Sequence, residues 1–490
     1  MDADTPIPVH IDKVMDGLAM NPALPASMVR RLFAWRRGGG NVARRQDLTE
    51  DMIAEIIAID DHWLLHSLAL NDRLPDRFRL GLAGHRDNAV RSALVIHAAT
   101  APRQMFEKLI DDPDPKVREY LAKGDHTPPD LRGRLAADPD PAIRAALAKH
   151  WPQAPESIRR ILLTDPEPGV RAAACSTYFA RLPHPIPPSD LLPALLADPA
   201  TRAGAVIHVV LDAKTLRKLA EDPDSEVRAQ LARHPELPPS VRDVLAVDPA
   251  LNVRVQVFAR PDTPEHVRAQ IHASVHEIAR STADPGPDAT DEALLQSFRD
   301  DFAPTELRIL RLDWVTADPL PHIDSPYVGC RVSAALGKTL PAGAVARLLD
   351  DEEEMVRLTM AAGAPHLVDP ATAESIERRY RRRDKFTFWW DMKEVLTFPS
   401  EVLRRFATDP EPRLRSFAPR DPNLPTEIAE KLASDPEDRV RRAAAPHRNL
   451  PLPALLRLLA DPSERVAEAA GTSPFLPVAG MERLLALADL

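Results

Sequence analysis

Apolar residues come along this chain in short helical bursts, two to a unit, and proline stops each burst. In residues 237–247, LPPSVRDVLAV, the apolar positions Val241, Val244 and Leu245 fall at i, i+3 and i+4, the stripe of an amphipathic helix. Proline opens that helix, where a missing N–H costs nothing. Asp248 followed by Pro249 ends it, because a residue before proline is driven out of the α region. A second burst over residues 253–259 predicts a second short helix, stopped at Arg260 and Pro261. An Asp just after the break, such as Asp114, Asp140 or Asp224, predicts a side-chain cap on the second helix.

The unit then repeats. Asp112, Pro113, Val117 and Arg118 return 26 residues later as Asp138, Pro139, Ile143 and Arg144. The same apolar-Arg pair marks Arg91, Arg171, Arg228, Arg254, Arg357, Arg415 and Arg441, and the longer intervals are close to whole multiples of the period. A period of this length is the mark of a repeat architecture. Helices this short are marginal alone in water, but stacked units bury one another's apolar faces in a continuous core. The expected fold is all-α: an α-solenoid of about seventeen two-helix repeats of roughly 26 residues.

The regularity varies along the chain. Residues 1–20 read as an N-terminal cap and 21–261 as N-terminal repeats. Residues 262–304 read as an irregular helix and an acidic Gly/Pro loop, a candidate hinge. Residues 305–474 read as C-terminal repeats and 475–490 as a C-terminal cap. Within the second block, 366–398 is the least repeat-like piece.

Composition sharpens the picture in a few places. Proline is 51 of 490 residues, about double ordinary usage, yet it is spread at the repeat period and so marks turns. The net charge of −10 argues against a protein devoted to coating nucleic acid. Two cysteines, Cys175 and Cys330, give neither a disulfide framework nor a cysteine-ligated metal, and fit a reducing cytoplasm. The opening MDADTPIPVHIDK lacks a secretory pattern, and no run approaches 18 apolar residues, so no membrane span is expected. Arg outnumbers Lys, and Ala and Pro are abundant, which points to a GC-rich bacterial source.

The unit LPPSVRDVLAVDPALNVRVQVFARP resembles the leucine-rich repeat variant family, a bacterial, HEAT-like α-solenoid. The resemblance is strongest at 99–178, 209–261 and 399–474. It implies a right-handed superhelix in which an α-helix alternates with a 3₁₀-like one. The Asp-x4-Val-Arg spacing is also similar to the inter-helix signature of HEAT repeats, where Asp and Arg form a structural ladder. Founding members of the variant family carry an N-terminal cysteine-ligated iron–sulfur cluster. Residues 1–60 here contain no Cys, so that cofactor is not implied and none is expected.

Two sets of residues compete for a functional role. The repeated Arg row could track a phosphate backbone. Its co-occurrence with an Asp six residues earlier favours a structural ladder instead: Asp112 with Arg118, Asp138 with Arg144, Asp165 with Arg171, Asp222 with Arg228, Asp248 with Arg254, Asp409 with Arg415, and Asp435 with Arg441. In that reading each Arg pairs with that Asp or with carbonyls of the neighbouring unit. The second set is Arg378, Arg379, Arg381, Arg382, Arg383 and Lys385, followed by Phe386, Phe388, Trp389 and Trp390. Basic charge beside aromatics suits a protein hot spot or a single nucleic-acid strand; a solvated basic helix face with aromatics plugging a gap is the plainer alternative. His272 and His276 lack both the Glu placement of a zinc protease and an evident third ligand, so no metal is expected. The Gly38–Gly40 run reads as an inter-helix turn, and Asp350 to Glu354 as a solvated acidic turn. No catalytic constellation emerges. The expectation is a monomeric, non-enzymatic scaffold for a protein partner; the alternative is a nucleic-acid-binding, repair-like solenoid using the basic-aromatic segment.

Overall fold

The computed structural model describes residues 7–35, 37–38, 40–176, 184–281, 290–380 and 396–490, and among them the regular structure is helical throughout, with no strand. The fold is all-helical and repetitive, compatible with an α-solenoid. The chain forms two compact units, one of Met1–Leu135 with Phe398–Leu490 and the other of Ala136–Thr397.

The repeat is built as its prolines dictate. Pro238, extended at φ −64° and ψ 146°, leads into the helix Pro239–Leu245, and the helix Leu251–Ala259 follows the Asp248 break. Val241 and Leu245 are buried, whereas Val244 is 56% exposed, so the apolar stripe here is the i, i+4 pair alone. Asp114, Asp140 and Asp224 each cap the second helix by accepting from the backbone N–H two residues on, at 2.8 Å. Those second helices, Pro115–Lys123, Pro141–His150 and Ser225–Ala232, are α-helical, where the family resemblance implied a 3₁₀-like element. Short 3₁₀ turns also occur, among them Asn41–Arg44, Val206–His208 and Ala418–Arg420. Gly40 opens the first of these at φ +72°, with its Cα so close to the Trp63 carbonyl that a Cβ would lie 2.4 Å from the oxygen; only glycine fits there.

In the second unit one apolar cluster runs without a break from Val206 through Leu245, Val257 and Phe258 to Val315 and Cys330. The helices on either side of the candidate hinge loop contribute to it, while the loop itself, residues 282–289, lies outside the described residues. The helices Glu265–Ser281 and Asp291–Ile309 both pack on Leu251–Ala259, and Ile271, Val275, Ala303 and Leu307 carry the core across. Burying a large apolar side chain of this kind stabilises by about 1.5–3 kcal/mol.

In the first unit the two ends of the chain meet as neighbouring repeats. The helix Ile11–Ala19 packs against Glu464–Thr472 and also touches Val478–Leu487. Asn21, fully buried, donates through Nδ2 to the carbonyls of Gly471 (3.0 Å) and Ser473 (2.7 Å). Interior repeats are joined in the same way: Asn71 donates to the carbonyls of Ala43 and Arg45, and Arg260 to those of Ala232 and His234. Arg31 adds contacts from Nη1 to both carboxylate oxygens of Glu482, at 2.6 and 2.7 Å, and from Nη2 to the Leu490 backbone oxygen. The segments read from sequence as two terminal caps therefore pack together in one stack. Close approach makes this possible, since a Cβ on Gly17 would stand 2.1 Å from the Glu468 carbonyl oxygen.

Candidate interaction surface

The Arg row is consumed inside the fold, by a pairing the sequence did not disclose. Arg91, Arg144, Arg228, Arg331, Arg415 and Arg441 each make a two-pronged contact, through Nε and Nη2, with the Asp of the following repeat (Asp112, Asp165, Asp248, Asp351, Asp435 and Asp461), at 2.6–3.1 Å. The Asp six residues earlier offers its backbone carbonyl rather than its carboxylate. Nη1 of Arg118, Arg144, Arg171, Arg228, Arg415 and Arg441 donates to the carbonyls of Asp112, Asp138, Asp165, Asp222, Asp409 and Asp435 at 2.6–2.9 Å. Arg254 keeps the carbonyl bond to Asp248 and meets Ser274 in place of a carboxylate. Each ladder Asp also accepts from the backbone of its own turn, as Asp165 does from Glu167 N–H at 2.9 Å. The hydrogen bonds from Arg144 hold the Asp165 carboxyl below the usual carboxylate range. Guanidiniums engaged in this way have no donor fork left for phosphate.

Other marked residues also have structural work. His272 lies edge-on to His276 with ring centroids 4.6 Å apart and tilts against Tyr327; burial pushes its pKa down. Among the described residues no group of His, Cys, Asp or Glu is arranged to hold a metal ion. Cys175 and Cys330 are buried thiols, not a disulfide, and burial pushes the Cys175 thiol up to about 12. The acidic turn is more engaged than a solvated run would be: Asp350 meets Arg379, Asp351 meets Arg331, and Glu353 meets Arg308.

Clefts open beside that turn in the second unit. A cleft of about 390 Å³ lies between the helices Ala342–Leu349 and Pro370–Arg379, floored by Leu340, Val345 and Leu349 and edged by Asp369, Thr372 and Ser375. A second of about 490 Å³ runs from Ile323 and Asp324 to Asp351 and Glu352. The two adjoin across successive repeats, with Ala346 and Asp350 in the walls of both. Arg379 closes the edge through Asp350 (2.7 Å) and the Asp351 carbonyl (2.8 Å), while Arg378 is held by Glu374 one turn back at 2.8 Å. Arg381, Arg382, Arg383, Lys385, Phe386, Phe388, Trp389 and Trp390 lie outside the described residues. The clefts were missed from sequence; their walls are ordinary repeat residues, and only Asp350 to Glu354 drew notice.

No known family model matches the chain, and no curated protein matches it. No described helix is long and apolar enough to cross a membrane.

Proposed function

We propose that the chain is a non-enzymatic scaffold that holds a partner protein along its repeat surface. In this reading it is a right-handed α-solenoid of about seventeen units, of the leucine-rich repeat variant kind, acting as a monomer in a bacterial cytoplasm. The observation that carries the proposal is the pair of adjoining clefts around Ala346 and Asp350, the first with an apolar floor and both with carboxylates along the edge. Such a lining suits an extended or helical peptide whose apolar side chains fill the floor while its cations meet the rim. The internal use of the Arg row supports a protein partner over a nucleic acid. A nucleic-acid reading would rest on Arg381, Arg382, Arg383, Trp389 and Trp390 alone. Affinity purification of the tagged full chain from its host, after nuclease treatment, tests the proposal. A defined protein should come down with the wild type and be lost on Ala346→Arg, which fills the shared wall of the clefts. A catch that disappears with nuclease would contradict it and favour the nucleic-acid reading.

A further inference from the structure

The helix Asp291–Ile309 sinks Ala303 and Leu307 into the core, yet it also carries an apolar stripe on its outer side. Polar groups share the inner side with those two core residues: Ser225 Oγ donates to Gln296 Oε1 (2.6 Å), Leu251 N–H to Asp300 Oδ1 (2.8 Å), and Gln256 Nε2 to Glu306 Oε1 (2.9 Å). The outer side carries Leu294, Leu295, Phe298 and Ile309, between 39% and 47% exposed. Phe302 stacks on Phe298 with the ring planes 3° apart, extending the apolar stripe along the helix. An ordinary surface helix carries polar residues on such an outer side.

We infer that this stripe is a docking surface for a basic amphipathic helix of a partner protein. Two observations select that occupant. The first is area: at about 200 Å² per large side chain, the four exposed residues offer on the order of 350 Å². A stable dimer of folded surfaces needs about 800 Å² from each partner, so the stripe suits a single helix laying apolar residues at i, i+3, i+4 and i+7 against it. The second is charge. The two cations of this helix are already engaged, Arg299 with Glu226 and Ser225 and Arg308 with Glu353. Among the described side chains, Arg308 beside the stripe is exposed but paired with Glu353, and the other exposed charge there is Asp301, which favours Lys or Arg flanking the partner's apolar face. The inference rests on the scaffold reading only in sharing a protein partner, since the stripe and the clefts are separate surfaces.

The test is fluorescence anisotropy of the full chain with an 18-residue helical peptide of Leu and Lys in that spacing, and with its Glu-for-Lys counterpart. L294S/L295S/F298S alters half-exposed side chains outside the core cluster, and the variant should still unfold cooperatively, at a somewhat lower urea midpoint than the wild type. It should weaken binding of the Lys peptide at least tenfold, whereas Ala346→Arg should leave binding unchanged. The Glu peptide should bind at least tenfold more weakly than the Lys peptide. Equal binding by the triple-Ser variant, or equal binding of the two peptides, would overturn the inference. So would a wild-type dimer in sedimentation that the triple-Ser variant dissolves, which would make a second copy the occupant. If Ala346→Arg alone abolished binding, the stripe would fall while the scaffold reading stood.

Discussion

Replacing Gly17 by Ala should destabilise a segment some 450 residues away. An added methyl at Gly17 would stand 2.1 Å from the Glu468 carbonyl oxygen and 3.0 Å from its carbon, so the helices Ile11–Ala19 and Glu464–Thr472 must part by about an ångström. A gap of that size forfeits a quarter to a half of each dispersion contact across the joint, and overpacking against a rigid neighbour costs about 1–3 kcal/mol. The backbone cannot yield as a side chain would, so the upper part of that range applies. Helix propensity offsets about 1 kcal/mol of this for Gly→Ala, leaving a net loss of about 2 kcal/mol. Gly169 and Gly343 supply the control: both lie in helices where an added methyl would meet nothing within 4 Å, so Ala there should stabilise by about 0.5–1 kcal/mol. Urea unfolding gives the sign, and hydrogen exchange gives the place. In Gly17→Ala, exchange should rise in Glu464–Thr472 and not in Asn88–Ile96. If Gly17→Ala stabilised as Gly169→Ala does, with exchange at 464–472 unchanged, the packing of the chain ends would be refuted.

The ladder and one buried carboxyl give further tests. Asp165→Ala should cost about 3–5 kcal/mol in urea unfolding, because it strands the Arg144 charge; Asp165→Asn, which still accepts from Glu167 N–H, should cost less. Asp165 has a depressed pKa, so its stabilisation is present above about pH 4 and lost as pH falls through the folded value; Asp165→Asn should show a shallower acid slope. Glu306 has the opposite sign. Burial raises its carboxyl from 4.5 to about 7, so its contribution is whole below pH 4.5 and lost as pH rises to about 7. Glu306→Gln should flatten stability over that window.

The helices, their proline starts and their Asp caps were legible in the sequence because each depends on residues a few positions apart. The ladder's partners were not. In a periodic chain an Arg lies at a fixed distance both from the Asp six residues before it and from the Asp some twenty residues after it, and co-occurrence cannot separate the two; the geometry gives the carbonyl to the first and the carboxylate to the second. The joint of the chain ends was hidden for another reason, since a first and a last repeat look like caps when only one neighbour is imagined. A signal was present: Asn21 stands where Asn71 and Arg260 stand in interior repeats, and such a residue needs carbonyls of a preceding repeat to bond. The outer apolar stripe of Asp291–Ile309 was also illegible, because Leu294, Leu295 and Phe298 read as core on any helical wheel.

The measurement closest to the central claim is photo-crosslinking from position 346. Ala346 is exposed and walls both clefts, so a benzoylphenylalanine placed there in the full chain, irradiated in the host cell, reports what they hold. The scaffold reading predicts a discrete protein adduct that survives nuclease and is absent when the same group is placed at Gly169, on a helix of an earlier repeat. An adduct that nuclease removes, or no adduct at 346 beyond that seen at 169, would contradict it.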